Sequence, residues 1–179
     1  MKILIGTPIH QMKDYCMERW LKNVAELTKV TPAHLLLVDN SPDLSYMEKV
    51  KGYLKKYRIK DNEIKHFEVK NTHLEPDKVR GVNVEISQEM IRQTTLKEDY
   101  SVWFSWECDQ IIPTNTLNRL IELMKADYMM VAVNSWARTI PGELNTNMGV
   151  TLISRQALKK GWFLPFKKGK ISFNLADFY

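Results

Sequence analysis

The chain has 179 residues, 44% of them hydrophobic and 26% charged, which suits one globular domain and excludes most multi-domain enzymes. Its formal net charge of +5 is unevenly placed: residues 1–153 hold 20 Lys and Arg against 20 Asp and Glu, and residues 154–179 hold 6 against 1. That distribution argues against a basic track for nucleic acid and leaves a cationic end that fits a local anion, an anionic membrane surface or plain solvation.

Apolar periodicity divides the chain into alternating strand-like and helix-like pieces. Lys2 to Thr7 is a short apolar run ended by Pro8, which predicts a buried strand. Tyr15, Cys16, Trp20, Val24 and Leu27 follow near helical spacing and predict a helix within Met12 to Leu27. Leu35 to Val38 is continuous and apolar, as in a parallel strand covered on both faces. It stops at Asp39-Asn40-Ser41-Pro42-Asp43, a dense cluster of turn and cap residues. Met47, Val50, Tyr53, Leu54 and Tyr57 mark a second helix, and Ile64 to Val69 a third strand. Residues 70–82 carry His73, Pro76 and several charges and read as a loop. Helical spacing returns at Val84 to Leu96 through Ile86, Met90 and Ile91. Tyr100 to Trp106 is the most apolar and aromatic strand, ended abruptly by Glu107-Cys108-Asp109. Pro113-Thr114 opens a helix whose Leu117, Leu120, Ile121 and Met124 share a face. A strand at Tyr128 to Val133, a polar loop over 134–147, a strand at Met148 to Ile153 and a short helix capped by Ser154 complete the order. This alternation predicts an α/β domain with a mostly parallel, Rossmann-like sheet flanked by helices.

Other features narrow the chemistry. No apolar run approaches the roughly 18 residues of a membrane span, and the N-terminal segment lacks a signal peptide's regions, so a cytoplasmic protein is expected. Cys16 and Cys108 lie far apart with no Cys-x-x-Cys, which suggests reduced, buried thiols. Seven glycines form neither G-x-G-x-x-G nor a P-loop, so a bound diphosphate would need a metal ion, a helix N-terminus or cationic side chains.

In open parallel sheets the ligand crevice lies at the carboxyl ends of the strands. Thr7-Pro8, Asp39-Asn40 and Glu107-x-Asp109 occupy three such ends and should converge on one rim. Residues two apart in extended chain project to the same side, so Glu107 and Asp109 can offer two hard oxygen ligands to Mg²⁺ or Mn²⁺ while Cys108 points away. Acidic-x-acidic also occurs at Asp61/Glu63 and Glu75/Asp77, but there in polar surroundings that suit solvated charge. Asp39 can cap the following helix or accept hydrogen bonds from a nucleobase or ribose. His10 reads as a loop residue, and the four histidines show no metal spacing.

Strand 35–38 with Asp39-Asn40-Ser41-Pro42-Asp43 resembles the "VDNxSxD" stretch of family 2 type, GT-A glycosyltransferases. Tyr100 to Pro113 (YSVWFSWECDQIIP) resembles their strand bearing the Asp-x-Asp metal motif, with Glu107 in place of the usual first Asp. Met148 to Arg155 is similar to the glycine-containing strand that ends at an Arg in those enzymes. The resemblance covers residues 2–153.

It implies a single GT-A-like domain over 1–179, with a nucleotide- and metal-binding half at 1–112 and an acceptor-side half at 113–179 that stops where related enzymes continue. Thr7, Pro8, Asp39 and Asn40 would line the nucleotide pocket, and Glu107 and Asp109 would hold Mn²⁺ or Mg²⁺ on the diphosphate. Arg92 matches a cation on a helix that carries Arg-Asn near its start in the family. The catalytic base falls to Asp177, the sole acidic residue after Glu143. Trp136, Asn145 and Asn147 would lie on the acceptor side. The implied activity is transfer of a sugar from a nucleoside diphosphate sugar to a sugar, lipid-linked or protein acceptor. The alternative is an inactive transferase-like scaffold docking on an anionic membrane or polyanion through Lys159, Lys160, Lys167, Lys168 and Lys170, where cations flank aromatics. A phosphoacceptor role for Asp39 lacks the partner acids it would need after the first strand.

Overall fold

A computed structural model describes residues 1–67, 76–133, 135–136, 144–145 and 148–161, with backbone alone for 76–80, 135–136 and 144–145. Among them, six strands form one sheet in the order β3-β2-β1-β4-β8-β5. The strands are β1 (Ile3–Ile9), β2 (His34–Asp39), β3 (Asn62–His66), β4 (Val102–Trp106), β5 (Met130–Ala132) and β8 (Val150–Ser154). The first four pair in parallel, and β8 inserts antiparallel between β4 and β5. The helices are α1 (Asp14–Val30), α2 (Ser45–Lys56), α3 (Pro76–Lys97), α4 (Thr116–Met124) and α5 (Arg155–Lys160). The expected mostly parallel α/β sheet is therefore present.

Strand alternation divides the core between two faces. Ile3, Ile5, Leu35, Leu37, Val102, Phe104 and Trp106 pack with Met17, Trp20 and Val24 of α1 and Val50 and Leu54 of α2. Leu4, Leu36, Val38 and Trp103 face the other way, onto Ile91 of α3 and Leu158 of α5. The continuous apolar runs follow from this double burial, because neither face of a central strand meets water.

Chain direction explains the helix placement. From β1 the sheet grows through β2 to β3, then returns across both to pair β4 on the other side of β1. Right-handed connections place α1 and α2 on one face and α3 on the opposite one. The strand order reverses between β1 and β4, the kind of switch point at which α/β sheets open a crevice.

Gly6 permits that arrangement. A Cβ there would collide with Ile91 Cγ2 of α3 and lie 2.7 Å from Trp103 Nε1. The same indole N–H donates to the Gly6 carbonyl at 3.0 Å. The bare backbone lets α3 seat against the sheet and fixes Trp103 beneath it.

Two sequence expectations change. Helix α3 begins at Pro76, inside the stretch 70–82 expected as a loop. Proline suits a first helical turn because its missing N–H is one that a helix start leaves unbonded anyway. Within the expected loop 134–147, β6 (Ser135–Trp136) pairs antiparallel with β7 (Leu144–Asn145). Ser154 caps α5 as expected, its hydroxyl accepting from Ala157 N at 3.1 Å.

One cation of the basic end is structural. Arg155 donates to the carbonyls of Thr95, Leu96 and Tyr100 and pairs with Asp99 at 3.2 Å, so it closes the C-terminus of α3. Lys159 and Lys160 are exposed, and Lys167, Lys168 and Lys170 lie outside the described residues. Among the described residues, no helix is long and apolar enough to cross a membrane.

The Gly6 contact gives a direct test of the fold. Gly6→Ala should destabilise the protein by about 1–3 kcal/mol, the range for overpacking a filled core, measured by urea unfolding. Unchanged stability would mean that α3 does not approach β1 this closely.

Candidate active site

The carboxyl ends of β1, β2 and β4 stand side by side at the switch point. Register places Pro8 opposite Val38 and Ile9 opposite Asp39, and Gly6 opposite Ser105 of β4. Thr7 is fully buried, and its hydroxyl donates to the Trp106 carbonyl at 2.8 Å. That bond ties the end of β1 to the residue preceding Glu107. Pro8 is half-buried beside it.

Asp39 is also fully buried. Its Oδ1 accepts from Ser41 N at 3.0 Å and from the Ser41 hydroxyl at 2.6 Å, while Oδ2 lies 3.0 Å from His66 Nδ1. The carboxylate closes the turn after β2 and fastens it to the end of β3. Ser41 Oγ in turn accepts from Gln11 N at 2.9 Å, joining this turn to the loop after β1. Asn40 donates to Ser87 Oγ of α3 at 3.1 Å, and Ser87 to the Asn83 carbonyl at 2.8 Å. Asp43 makes the turn that leads into α2, its Oδ1 accepting from Ser45 N at 2.8 Å, while Asp39 does not reach that helix.

Beyond β4 the chain turns sharply. Glu107 N donates to the Gly149 carbonyl at 2.7 Å and Gln110 N to the Glu107 carbonyl at 3.1 Å. Glu107 is exposed, with Gln110 Nε2 3.5 Å from its Oε2. Cys108 is buried in the core although this stretch is a turn and not the extended chain expected from the sequence, and burial pushes its thiol far above the usual range. Asp109 turns back to the rim, its side chain 15% exposed. Asn23 of α1 grips the chain that follows, donating to the Ile112 carbonyl at 3.0 Å and accepting from Ile112 N at 2.9 Å.

Asp109 has one oxygen engaged and one open. Oδ2 pairs with Lys13, which ends a one-turn 3₁₀ helix at Gln11–Lys13 immediately after β1. Oδ1 is buried without a hydrogen-bond partner among the described residues. A buried carboxylate oxygen with no donor is costly, so this atom has capacity for a further ligand. Against the cost of partial burial, the hydrogen bond and charge of Asp109 hold the Lys13 ammonium above its ordinary value. Among the described residues, no group of three or more His, Cys, Asp and Glu stands ready for a metal ion. Among the described residues, Glu107 and Asp109 are the two carboxylates of this turn.

Other expected site residues fall elsewhere. Arg92 lies on the flank of α3 facing α5, not with the rim residues. Its Nε and Nη2 each bond Glu89 at 2.8 Å, and Nη1 donates to the Leu158 carbonyl at 2.7 Å. Five residues beyond Ser87, it stands about 7.5 Å further down the helix axis, and these bonds hold it against α5. Asp177 and Asn147 lie outside the described residues, as do the side chains of Trp136 and Asn145.

Lys13, His66 and Ser87 are rim residues that the motifs did not reveal, and Ser41 lay in the Asp39–Asp43 stretch without a role assigned to it. His66 left no sign in the sequence, because the run expected over 64–69 extends past it, and it ends β3 only in the structure. His10, read as incidental, caps the 3₁₀ turn by accepting from Met12 N at 3.1 Å.

No protein-family profile matches the chain, and no curated protein matches it. Solved structures do. A mannosyltransferase from Pyrobaculum calidifontis, in complex with GDP-mannose and Mn²⁺, aligns over 89% of this chain and 46% of its own, with TM-score 0.53 and 14% identity. S. aureus TarS in complex with UDP aligns over 89% of this chain and 48% of its own, with TM-score 0.56 and 14% identity. The galactosyltransferase LgtC, bound to donor and acceptor sugar analogues, aligns over 90% and 60%, with TM-score 0.52 and 16% identity. At these identities the likeness is one of fold. The chain has the GT-A-like architecture that the sequence resemblance implied, and it spans about half the length of these structures.

Arg92→Met tests the correction to the site. It removes the two Arg92 hydrogen bonds to the buried Glu89 carboxylate, which keeps the one from Gln93 at 3.0 Å, and should cost about 1–3 kcal/mol in urea unfolding. Wild-type stability would show that Arg92 is free to serve the rim.

Proposed function

We propose that this chain is a metal-dependent glycosyltransferase, which moves a sugar from a nucleoside diphosphate sugar to an acceptor hydroxyl. The observation that carries the reading is the open Oδ1 of Asp109, held at the strand end beside the switch point. The GT-A-like fold supports it, since that rim holds the nucleotide side of the sheet in the resemblance above.

Glu107 and Asp109 fit Mg²⁺ or Mn²⁺: both are carboxylates, and the buried Asp109 Oδ1 has no hydrogen-bond partner among the described residues. When bound by them, such an ion supplies Lewis-acid neutralisation of the charge on a departing diphosphate. Two protein carboxylates fall short of a full coordination shell, so phosphate oxygens and water would complete it.

The remaining residues shape the donor pocket. Thr7 holds the ends of β1 and β4 together and, with Pro8, forms its floor. Asp39 acts through Ser41 and His66, fixing the wall against which the nucleoside lies, because its own carboxylate is buried and already bonded. Asn40 and Ser87 brace that wall on α3. In an inverting reaction the acceptor oxygen bonds to the anomeric carbon as the carbon–phosphate-oxygen bond breaks. We assign the acceptor's proton to Asp177. The acceptor is a sugar, a lipid-linked sugar or a protein hydroxyl.

Release of nucleoside diphosphate from a panel of UDP- and GDP-sugars with Mn²⁺ tests the reading. Asp109→Ala should lower kcat/KM by about a hundred-fold or more, the scale for losing a preorganised electrostatic group. Wild-type turnover in that variant, or no binding of any sugar nucleotide, would contradict it.

A further inference from the structure

We propose that Lys13 is an internal counter-ion that occupies Asp109 in the cation-free state and transfers to the donor diphosphate when a divalent cation binds, coupling the two ligands. The proposal rests on the donor reading above and adds a residue that no strand-end motif contains.

The geometry starts from the pair itself. Lys13 Nζ contacts Asp109 Oδ2, so an ammonium sits on the carboxylate offered to a metal. A divalent cation reaching Oδ1 would meet that positive charge across a single carboxylate. Lys13 offsets the negative charge of Asp109, so an incoming ion meets a neutralised carboxylate there instead of a bare one. Without nucleotide, cation and ammonium compete. With a diphosphate present, both positive charges face an anion, and the repulsion between them is offset.

Lys13 is built to make that move with its side chain alone. Its backbone N–H donates to the His10 carbonyl at 2.8 Å, and its own carbonyl accepts from Cys16 Sγ at 3.0 Å. These bonds pin the main chain at the start of α1. The side chain is 32% exposed, against 15% for Asp109, so the flexible stem leads from the buried carboxylate towards solvent. Lys13 ends the 3₁₀ turn that follows β1, where Gln11 N bonds to Ser41 in the turn after β2 and Thr7, at the end of β1, bonds to Trp106 at the end of β4. A diphosphate at the switch point therefore lies within the reach of a lysine rotamer change.

Linkage makes the idea measurable, because if nucleotide tightens the cation, the cation tightens nucleotide by the same factor. Mn²⁺ binding is measured by the free-ion paramagnetic resonance signal, with and without UDP or GDP, in wild type, Lys13→Gln, Lys13→Arg and Asp109→Asn. Lys13→Gln should bind Mn²⁺ alone about five-fold more tightly than wild type, at the lower end of ordinary coupling factors. With Mn²⁺ present it should bind nucleotide about five-fold more weakly relative to its own Mn²⁺-free value than wild type does. Lys13→Arg, which keeps the charge, should retain most of the wild-type coupling, and circular dichroism confirms that each variant is folded.

Equal Mn²⁺ affinity and equal coupling in wild type and Lys13→Gln would overturn the role of Lys13. If Asp109→Asn still abolished Mn²⁺ binding in that case, the donor reading would stand without it. Absence of Mn²⁺ binding in wild type and Lys13→Gln alike, with nucleotide present, would overturn both.

Discussion

The parallel pairing of β1 with β4 is the constraint on which the rest of this molecule depends. Because β4 joins the sheet on the opposite side of β1 from β2, the connections on either side diverge at the ends of β1 and β4, the kind of switch point at which α/β sheets bind ligands. Three contacts hold that junction: the Gly6–Ile91 approach from below, the Thr7 hydroxyl on the Trp106 carbonyl, and the Lys13–Asp109 ion pair at the rim. Each belongs to a different layer of the structure. The first sets helix against sheet, the second strand against strand, and the third loop against loop.

Core and site are continuous at this junction. Trp106 belongs to the apolar face shared with α1, and its ring packs edge-on to Trp20 with centroids 5.3 Å apart. Its indole N–H donates to the Gln110 carbonyl at 2.9 Å, closing the turn that carries Glu107 and Asp109. Asn23, polar but buried in the middle of α1, grips the same turn at Ile112. The acidic turn is thus held by the hydrophobic core on one side and by a helix on the other, the support a preorganised electrostatic site requires.

Much of the fold was legible because apolar strands buried on both faces leave continuous runs, and 35–38 and 100–106 are such runs. The start of α3 was not, since Pro76 and its charged neighbours look like loop until proline is allowed its place in a first turn. The direction of β8 was hidden as well: a five-residue strand reads the same in either orientation, and only pairing decides it. At the site, strand-end position found Thr7, Asp39, Glu107 and Asp109, because sheet geometry places those positions at one rim. Their bonding was not legible. Asp39 turned out to be buried and engaged by Ser41 and His66, Arg92 was drawn to Glu89 and α5, and Lys13 came to Asp109 from 96 residues away. Spacing within one strand carries no record of such partners from elsewhere in the chain.

The +5 charge likewise changes meaning once placed in space. Arg155, counted with the basic end, is spent on the last carbonyls of α3, so the free cations described there are Lys159 and Lys160. The cation that meets the acidic turn is Lys13, from the electrically balanced body of the chain. The central claim is that this turn binds a divalent ion together with a nucleoside diphosphate, and the most direct test is an anomalous difference map from crystals grown with UDP or GDP and Mn²⁺. The account predicts a manganese peak bonded to Asp109 and to diphosphate oxygens, with the Lys13 ammonium moved onto the phosphate. A well-ordered nucleotide elsewhere, or a site with Lys13 still seated on Asp109 and no manganese peak, would contradict it.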